Sequence, residues 1–205
     1  MPHKNETRPR GRPRAFDEAA VRAAALDAFW TKGLSGVSLD DLAATTGVAR
    51  PSLAAAFGSK RDLYLSAVEA FLGQFSAAAA ALLTGAKPLA GELTAFYEGA
   101  LQLYVSGSPG PRGCLAICTL PAEATQDETI RLALKAAIDG TDAALGARFA
   151  LARKKRELKP SADANVLGQM ASSLLFSLAI RARAGAPKRD LKAMIQGGVD
   201  LLARA

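Results

Sequence analysis

The chain has 205 residues, half of them hydrophobic, so it is long enough to bury a sizeable core without cross-links. Its formal net charge of +7 favours a nucleic acid or an anionic surface as partner. The sequence holds one histidine, His3, and two cysteines, Cys114 and Cys118. This composition excludes a histidine-based hydrolytic constellation on a folded element and a closed Cys/His zinc site. We therefore expect no enzyme activity, no metal and no cofactor.

No apolar signal-peptide core follows the N-terminus, and the densest apolar run, residues 174–180, is too short to span a bilayer. We expect a cytoplasmic protein that does not associate with a membrane. Two cysteines do not make a disulfide framework, and a reducing compartment keeps them as thiols.

Residues 1–14 form a basic arm that carries a net charge of +4 and has no apolar residues to anchor it. We expect this arm to be flexible in the free protein. Within it, the run Pro-Arg-Gly-Arg-Pro resembles the core of an AT-hook, in which arginines enter a narrow A·T minor groove. Arg10, Arg12 and Arg14 are therefore candidate DNA contacts. The alternative is a tail that only aids solubility.

Two short helices joined by a tight turn follow early in the chain. Ser38 with Asp41 is a capping-box-like start for the first of them, and Gly47 ends it. Pro51 suits the first turn of the second helix, predicted over residues 50–57. This spacing is typical of a helix-turn-helix unit, whose second helix lies in the major groove of DNA. The alternative is a helical corner inside an ordinary bundle.

Another helix, predicted over residues 17–32, precedes this unit, so that three helices form a compact head. Residues 11–71 as a whole resemble the DNA-binding domain of the tetracycline-repressor (TetR) family of bacterial regulators. The resemblance is carried by residues at helix ends, in the turn and at apolar positions: Gly33, Ser38, Gly47, Val48, Leu53, Phe57 and Lys60. The family commonly has a tyrosine where this chain has Ala54, and polar or aromatic residues at the next two positions. One expected phosphate contact is therefore missing.

The resemblance implies an all-α fold in which a long fourth helix joins the head to a C-terminal body that binds a ligand and dimerises. It implies DNA contacts from these residues of the head: Ser38, Arg50, Pro51, Ser52, Ala54, Ala55 and Lys60. Arg50 is the only long donor on the recognition helix and is the candidate for reading guanine. Ser38 and Lys60 are candidates for phosphate.

The body begins with a long helix predicted over residues 60–84, and a fifth helix follows the break at Gly85 and Pro88. Aromatic residues recur on both helices at helical spacing. With two residues further along, they are the candidates for an effector pocket: Phe71, Phe75, Phe96, Tyr97, Tyr104, Cys114 and Met170. The alternative is that these aromatics belong to the core.

Four further helices are predicted, over residues 114–124, 127–157, 161–184 and 188–205. The resemblance implies that the last two form half of a four-helix homodimer interface, and their apolar periodicity permits this. Gly197 and Gly198 would let another helix approach closely.

Cys114 and Cys118 are spaced so that both thiols lie on one face if a helix begins after Gly113. Some TetR-like sensors carry a Gly-Cys pair at a comparable place and respond through thiol oxidation, electrophile addition or copper. In this chain Arg112 and the helix N-terminus would favour Cys114 as the reactive thiol. The alternative is that both cysteines pack in the core as small apolar residues.

The sequence thus predicts a flexible basic arm over residues 1–14, a helix-turn-helix domain over 15–62 and an effector-binding and dimerisation domain over 63–205. The predicted function is a homodimeric transcriptional regulator, a repressor that an unknown small-molecule effector releases from a palindromic operator in double-stranded DNA. Two other classes stay open: an effector-independent DNA-architectural protein and an all-helical small-molecule enzyme.

Overall fold

A computed structural model describes residues 16–205, and over this range the chain is all-helical, with nine α-helices and no strand. The helices are α1 (Glu18–Lys32), α2 (Leu39–Thr46), α3 (Arg50–Phe57), α4 (Lys60–Leu82), α5 (Leu89–Tyr104), α6 (Leu115–Glu123), α7 (Glu128–Lys154), α8 (Ala164–Arg183) and α9 (Lys188–Leu202). The predicted all-α class is confirmed. The arm, with Arg10, Arg12 and Arg14, lies outside the described residues.

Short polar side chains fix several of the helix starts. Ser38 and Ser59 each form a reciprocal capping box with an aspartate three residues on, Asp41 and Asp62. Three residues predicted as the first of a helix are N-caps instead: Asp17, Cys114 and Asp127. At their C-terminal ends the predicted helices of the body overshoot by one to three residues, because the last turn of a helix has a weaker sequence signature than the first.

The head packs α1, α2 and α3 around one apolar centre. Phe29 of α1, Leu42 of α2 and Leu53 of α3 are almost completely buried. Tyr64 of α4 joins them, with its ring edge-on to Phe29 at 5.2 Å between centroids. Gly47 ends α2 in the left-handed conformation, with φ 68°, and this allows the tight turn into α3. The start of α4 is therefore part of the head.

Among the described helices, α4 is the one whose length and apolar composition would allow it to cross a bilayer. Much of this apolar content comes from the alanine run at residues 77–81. The densest apolar run of the sequence, residues 174–180, lies in α8 instead. In the fold, α4 packs against α1, α3, α5, α6 and α7 and contributes Leu63, Val68 and Phe71 to the core. It is the helix that links the head to the body.

In the body, α7 and α8 lie against each other at close range because two glycines meet between them. A Cβ added at Gly168 of α8 would lie 2.7 Å from the backbone nitrogen of Gly146 on α7. The remaining helices pack around this pair, α5 and α9 against α8 and α6 against α7. The core residues Phe149 and Leu175 are fully buried between them.

A buried ion pair fixes the loop between α4 and α5 to α7. Nε of Arg148 donates to the Glu92 carboxylate at 2.5 Å, and neither side chain is more than 2% exposed. Glu92 also accepts hydrogen bonds from the backbone N–H groups of Gly85 at 2.9 Å and Lys87 at 3.1 Å. Burial alone would raise the pKa of Glu92, but the hydrogen bond from Arg148 and those from the backbone lower it to about 2. The ionised carboxylate therefore holds the loop that follows α4 in place.

Candidate nucleic-acid interface and ligand cavity

One face of α3 carries most of the residues predicted to read bases. Four of them are exposed together, since residues three and four apart lie on the same side of a helix: Arg50, Pro51, Ala54 and Ala55. Leu53 points into the head and is 1% exposed, and Ser52 lies half-buried at the edge. The exposed face thus presents one guanidinium and several methyl groups. In a major groove these can donate to guanine and contact the methyl group of thymine.

Arg50 forms an ion pair with Asp40 of α2, with 3.3 Å between Nη1 and Oδ2. The two side chains are 61% and 73% exposed, so water screens the pair and its net stabilisation is small. Arg50 can therefore leave Asp40 for a base edge. Sequence reasoning missed Asp40, because ten residues across a turn give no helical spacing that would signal a contact.

Ser38 and Lys60, predicted as phosphate contacts, both have partners inside the head. The Ser38 hydroxyl donates to Asp41 Oδ2 at 2.7 Å and accepts from the Asp41 N–H at 3.0 Å. The hydrogen bonds that the Ser38 hydroxyl and the Ser38 backbone N–H donate to the Asp41 carboxylate lower its pKa, so an ionised carboxylate lies beside the hydroxyl and disfavours a phosphate there. Ser38 is thus a helix cap in this conformation. Nζ of Lys60 donates to the carbonyl oxygen of Leu34 at 2.9 Å, and its phosphate role stays a prediction that depends on its other two hydrogens.

A cavity of about 250 Å³ lies between α1, α4 and α5. Its wall is aromatic, with Trp30, Phe71, Phe75 and Phe96 around it, and Gln74 is the polar side chain that reaches it. Trp30 and Phe71 meet edge-on at 4.8 Å between centroids. An apolar, aromatic cavity with few polar groups is the usual form of a small-molecule site.

A second cavity, of about 260 Å³, lies between α4, α5 and α7. It shares Phe75, Ala79 and Phe96 with the first cavity, and Ser76 and Thr141 bring hydroxyl groups to it. The rings of Phe75 and Phe96 stand edge-to-face at 5.9 Å between centroids. These two rings form the partition between the two cavities.

The structure places three of the seven predicted pocket residues on a cavity wall: Phe71, Phe75 and Phe96. The other four lie elsewhere. Tyr97 and Tyr104 are buried in the core and are not among the residues on the two cavity walls. The Tyr97 ring lies edge-to-face with Phe96 at 5.3 Å between centroids, and its hydroxyl donates to the carbonyl oxygen of Ala171 at 2.8 Å. Cys114 is also in the core, and Met170 is 58% exposed on α8. The aromatic pattern on α5 could not separate its two buried faces.

Sequence reasoning missed the contribution of α1 to the first cavity. Leu26 and Trp30, four residues apart, line it from the head side. Val21, Ala25 and Phe29 form one buried face of α1, and the neighbouring apolar pair at positions 26 and 30 was the signal of a second contact face.

The family model for bacterial regulatory proteins of the tetR family matches residues 21–67. The chain is 26% identical over 182 residues to the HTH-type transcriptional repressor ComR of Escherichia coli (strain K12), covering 89% of this chain and 87% of ComR. The chain belongs to the TetR family. It is a DNA-binding transcriptional regulator. A second repressor of that organism, BdcR, is 32% identical over 117 residues, which is 57% of this chain and 59% of BdcR.

Solved structures of TetR-family proteins share the fold over nearly the whole chain. A cysteine mutant of the regulator CifR, complexed with 26-bp double-strand operator DNA, is 28% identical with a TM-score of 0.84 and covers 93% of this chain and 98% of CifR. Reduced NemR of Escherichia coli is 19% identical with a TM-score of 0.75, covers 90% of this chain and 93% of NemR, and is similar in fold. These relatives are transcriptional regulators rather than enzymes.

The head of this TetR-family chain is fastened to the body around Trp30. The indole Nε1 donates to the carbonyl oxygen of Gly113 at 3.0 Å, and the guanidinium of Arg112 lies over the indole ring at 4.4 Å from its centroid. Arg112 also pairs with Asp27 of α1. From α8, Arg183 donates to the carbonyl oxygens of Trp30 at 3.1 Å and Arg112 at 3.2 Å. We refer to Trp30, Arg112, Gly113 and Arg183 as the head–body clamp.

The two cysteines sit beside this clamp in different surroundings. Cys114 is the N-cap of α6 and is buried, and burial raises its pKa to about 11. Cys118 is half-buried, and burial raises its pKa as well, although the nearby Arg183 opposes the shift. The prediction that Arg112 favours Cys114 is wrong, because Arg112 is engaged by Asp27 and Trp30. The cation near a thiol is Arg183, and the thiol is that of Cys118.

Proposed function

We propose that this regulator is a homodimeric repressor that a small molecule binding in the body releases from a palindromic operator. The observation that carries the proposal is the cavity between α1, α4 and α5, because its wall includes Leu26 and Trp30 of the head. An occupant of this cavity would contact the DNA-binding part of the molecule directly. A regulator that binds an operator would act in the cytoplasm.

Operator binding rests on the exposed face of α3. Two such helices, related by a two-fold axis, would enter successive major grooves roughly 34 Å apart, or a multiple of that, as set by the repeat of DNA. The CifR mutant complexed with operator DNA, and the repressors ComR and BdcR, support this reading for a chain with the same fold.

Dimer formation is supported by apolar side chains that α8 and α9 leave exposed: Val166 (49%), Met170 (58%), Ile180 (54%) and Leu201 (77%). Gly197 has open space where a Cβ would be, so another helix can approach there. Gly198 already lets another helix approach within the same chain, because Leu174 of α8 fills its Cβ position. Met170 thus fits the proposed interface rather than the pocket.

Release follows from differential affinity. An effector that binds better to a conformation with altered head spacing lowers operator affinity without any chemical step. The two ligand-sized cavities argue against an effector-independent architectural protein, since such a protein has no use for them.

The test selects operator sequences and then measures how many protomers bind each one. Duplexes that the purified full-length protein recovers from a random pool are expected to share a palindrome. Light scattering should show one dimer bound to each duplex. A Met170→Arg, Leu201→Arg double variant places charges on the proposed interface and should bind only at higher protein concentration. A non-palindromic consensus bound by a monomer would overturn the proposal.

A further inference from the structure

The chemistry of the cavity wall limits what can bind in it. The described residues that line the first cavity are apolar, apart from Gln74, whose amide lies at the rim of the cavity. Around the second they add the hydroxyls of Ser76 and Thr141. No lysine, arginine, aspartate or glutamate among the described residues lines either space. A ligand charge buried there would lose its hydration without gaining a counter-ion, which strongly disfavours binding.

The size of each cavity sets the size of the ligand. An apolar cavity of about 150 Å³ accepts benzene, so the space of about 250 Å³ beside Trp30 has room for a substituted ring or a fused pair of rings. The charged carrier of an acyl-coenzyme thioester does not fit a space of this size and polarity.

The partition between the cavities allows a longer ligand. Phe75 is only half-buried, and together with Phe96 it separates the two spaces. Rotation of the Phe75 side chain would join them into one channel along α4, lined by Ala79 in the middle. A chain-like molecule could then extend from Trp30 towards Thr141.

We infer that the effector site takes a small, uncharged, predominantly apolar molecule, aromatic or with a short alkyl chain, whose single hydrogen-bonding group faces Gln74. The inference rests on the proposed function for its regulatory meaning and on the cavity wall for its chemistry. It assigns Trp30 as the residue in contact with the ligand from the head, and the partition Phe75–Phe96 as the residues that set ligand length.

The experiment uses the protein's own fluorescence, since Trp30 is the one tryptophan in the sequence and lies on the cavity wall. The probes are 4-nitrotoluene and 4-nitrobenzoate, which have nearly the same shape, quench indole emission and differ in charge at neutral pH. We expect saturable quenching by 4-nitrotoluene. The affinity for 4-nitrobenzoate should be lower by a factor on the order of ten or more, because its charge would be unpaired in the cavity. Equal or tighter binding of 4-nitrobenzoate would overturn the inference.

Two variants locate the binding. Ala78→Phe adds a ring at the exposed edge of the first cavity and should abolish saturable quenching, while its circular dichroism stays unchanged. Unaltered quenching in that variant would place the probe elsewhere and overturn the site. Phe75→Ala removes half of the partition and should strengthen binding of 1-decanol relative to 4-nitrotoluene. If the ratio of the two affinities stays unchanged, the two cavities do not join into a channel.

Operator binding measured with the same probes separates this inference from the proposed function. If 4-nitrotoluene binds saturably and weakens operator binding, both are supported. If it binds saturably, is lost in Ala78→Phe and leaves operator affinity unchanged, the ligand chemistry of the site stands and effector-driven release through this cavity fails.

Discussion

The indole N–H of Trp30 lies 3.0 Å from the carbonyl oxygen of Gly113 and donates to it, joining α1 of the head to the loop that precedes α6. The same indole ring forms part of the cavity wall. A ligand that displaces this ring must therefore strain or break the bond to Gly113, so the cavity and the position of the head share one side chain.

Trp30→Phe keeps most of the ring volume but removes the donor and leaves the Gly113 carbonyl unpaired in a buried position. We expect the free energy of unfolding to fall by about 1–2 kcal/mol, measured by urea denaturation with circular dichroism. Leu26→Met, a change of similar volume on the same face, should stay within about 1 kcal/mol of the parent. Equal stability of the two variants would show that the hydrogen bond contributes nothing.

Gly113 has no room for a side chain. Its φ is 68°, and a Cβ would lie 2.5 Å from the carbonyl oxygen of Ala179 and 2.7 Å from Sγ of Cys118. Gly113→Ala should destabilise the protein by about 1–3 kcal/mol. Gly73→Ala in α4, where a Cβ meets nothing within 4 Å, is the matched control and should be neutral or stabilising by about 0.5–1 kcal/mol. Thermal melts of both variants test the difference, and a similar shift in both would refute the steric argument.

The buried pair of Glu92 and Arg148 predicts a loss of stability in acid. The folded-state pKa of Glu92, about 2, lies below its ordinary value of 4.5, so its contribution is complete above about pH 5 and disappears as the pH falls towards 2. The shift corresponds to a contribution on the order of 3 kcal/mol. Glu92→Gln should flatten this part of the stability–pH curve and lower stability at pH 7. The measurement is urea unfolding from pH 7 to pH 3, and an equally steep acid loss in the variant would assign it to other carboxylates.

We expect Arg50 to recognise one base in each half-site. Arg50→Ala should weaken operator binding and lose about 1–3 kcal/mol of preference at that position, measured by anisotropy with base-substituted duplexes. Asp40→Ala is the informative partner, because it removes the carboxylate that holds Arg50 in the free protein. It should leave the base preference intact and not weaken binding. Unchanged preference after Arg50→Ala would show that α3 reads sequence without this side chain.

The thiols should differ in reactivity in the order opposite to that predicted from sequence. At pH 7, N-ethylmaleimide should label Cys118 first, since Cys114 is buried and its pKa is raised to about 11. Mass spectrometry of the labelled peptides measures the order, with Cys118→Ser as the control that should lose the faster phase. Faster labelling of Cys114 would mean that its burial is transient.

Local signals in the sequence predicted local structure well. The capping pairs, Gly47 and Pro51 placed the helix-turn-helix unit, and α3 runs over the predicted residues. Side-chain partners across the chain were harder to predict, because no spacing rule links residue 30 to residue 113 or residue 60 to residue 34. Lys60, predicted to contact phosphate, donates to Leu34.

The cavity wall also could not be predicted from the pattern of buried residues. Phe96 and Tyr97 are adjacent in sequence and both buried, yet one lines the cavity and the other packs towards α8. Helical periodicity says that a helix buries a side chain, and on α5, which is covered on two sides, it does not say against which neighbour.

Arg183 links the proposed dimer interface to the head. It lies at the end of α8, the helix proposed to join the protomers, and its guanidinium holds the last carbonyl groups of α1. A subunit with Arg183→Ala would pair normally with an unaltered subunit but carry a loosely held head. Because a palindrome requires both heads, such mixed dimers would be defective, and the allele would be dominant over the wild-type gene in a merodiploid cell.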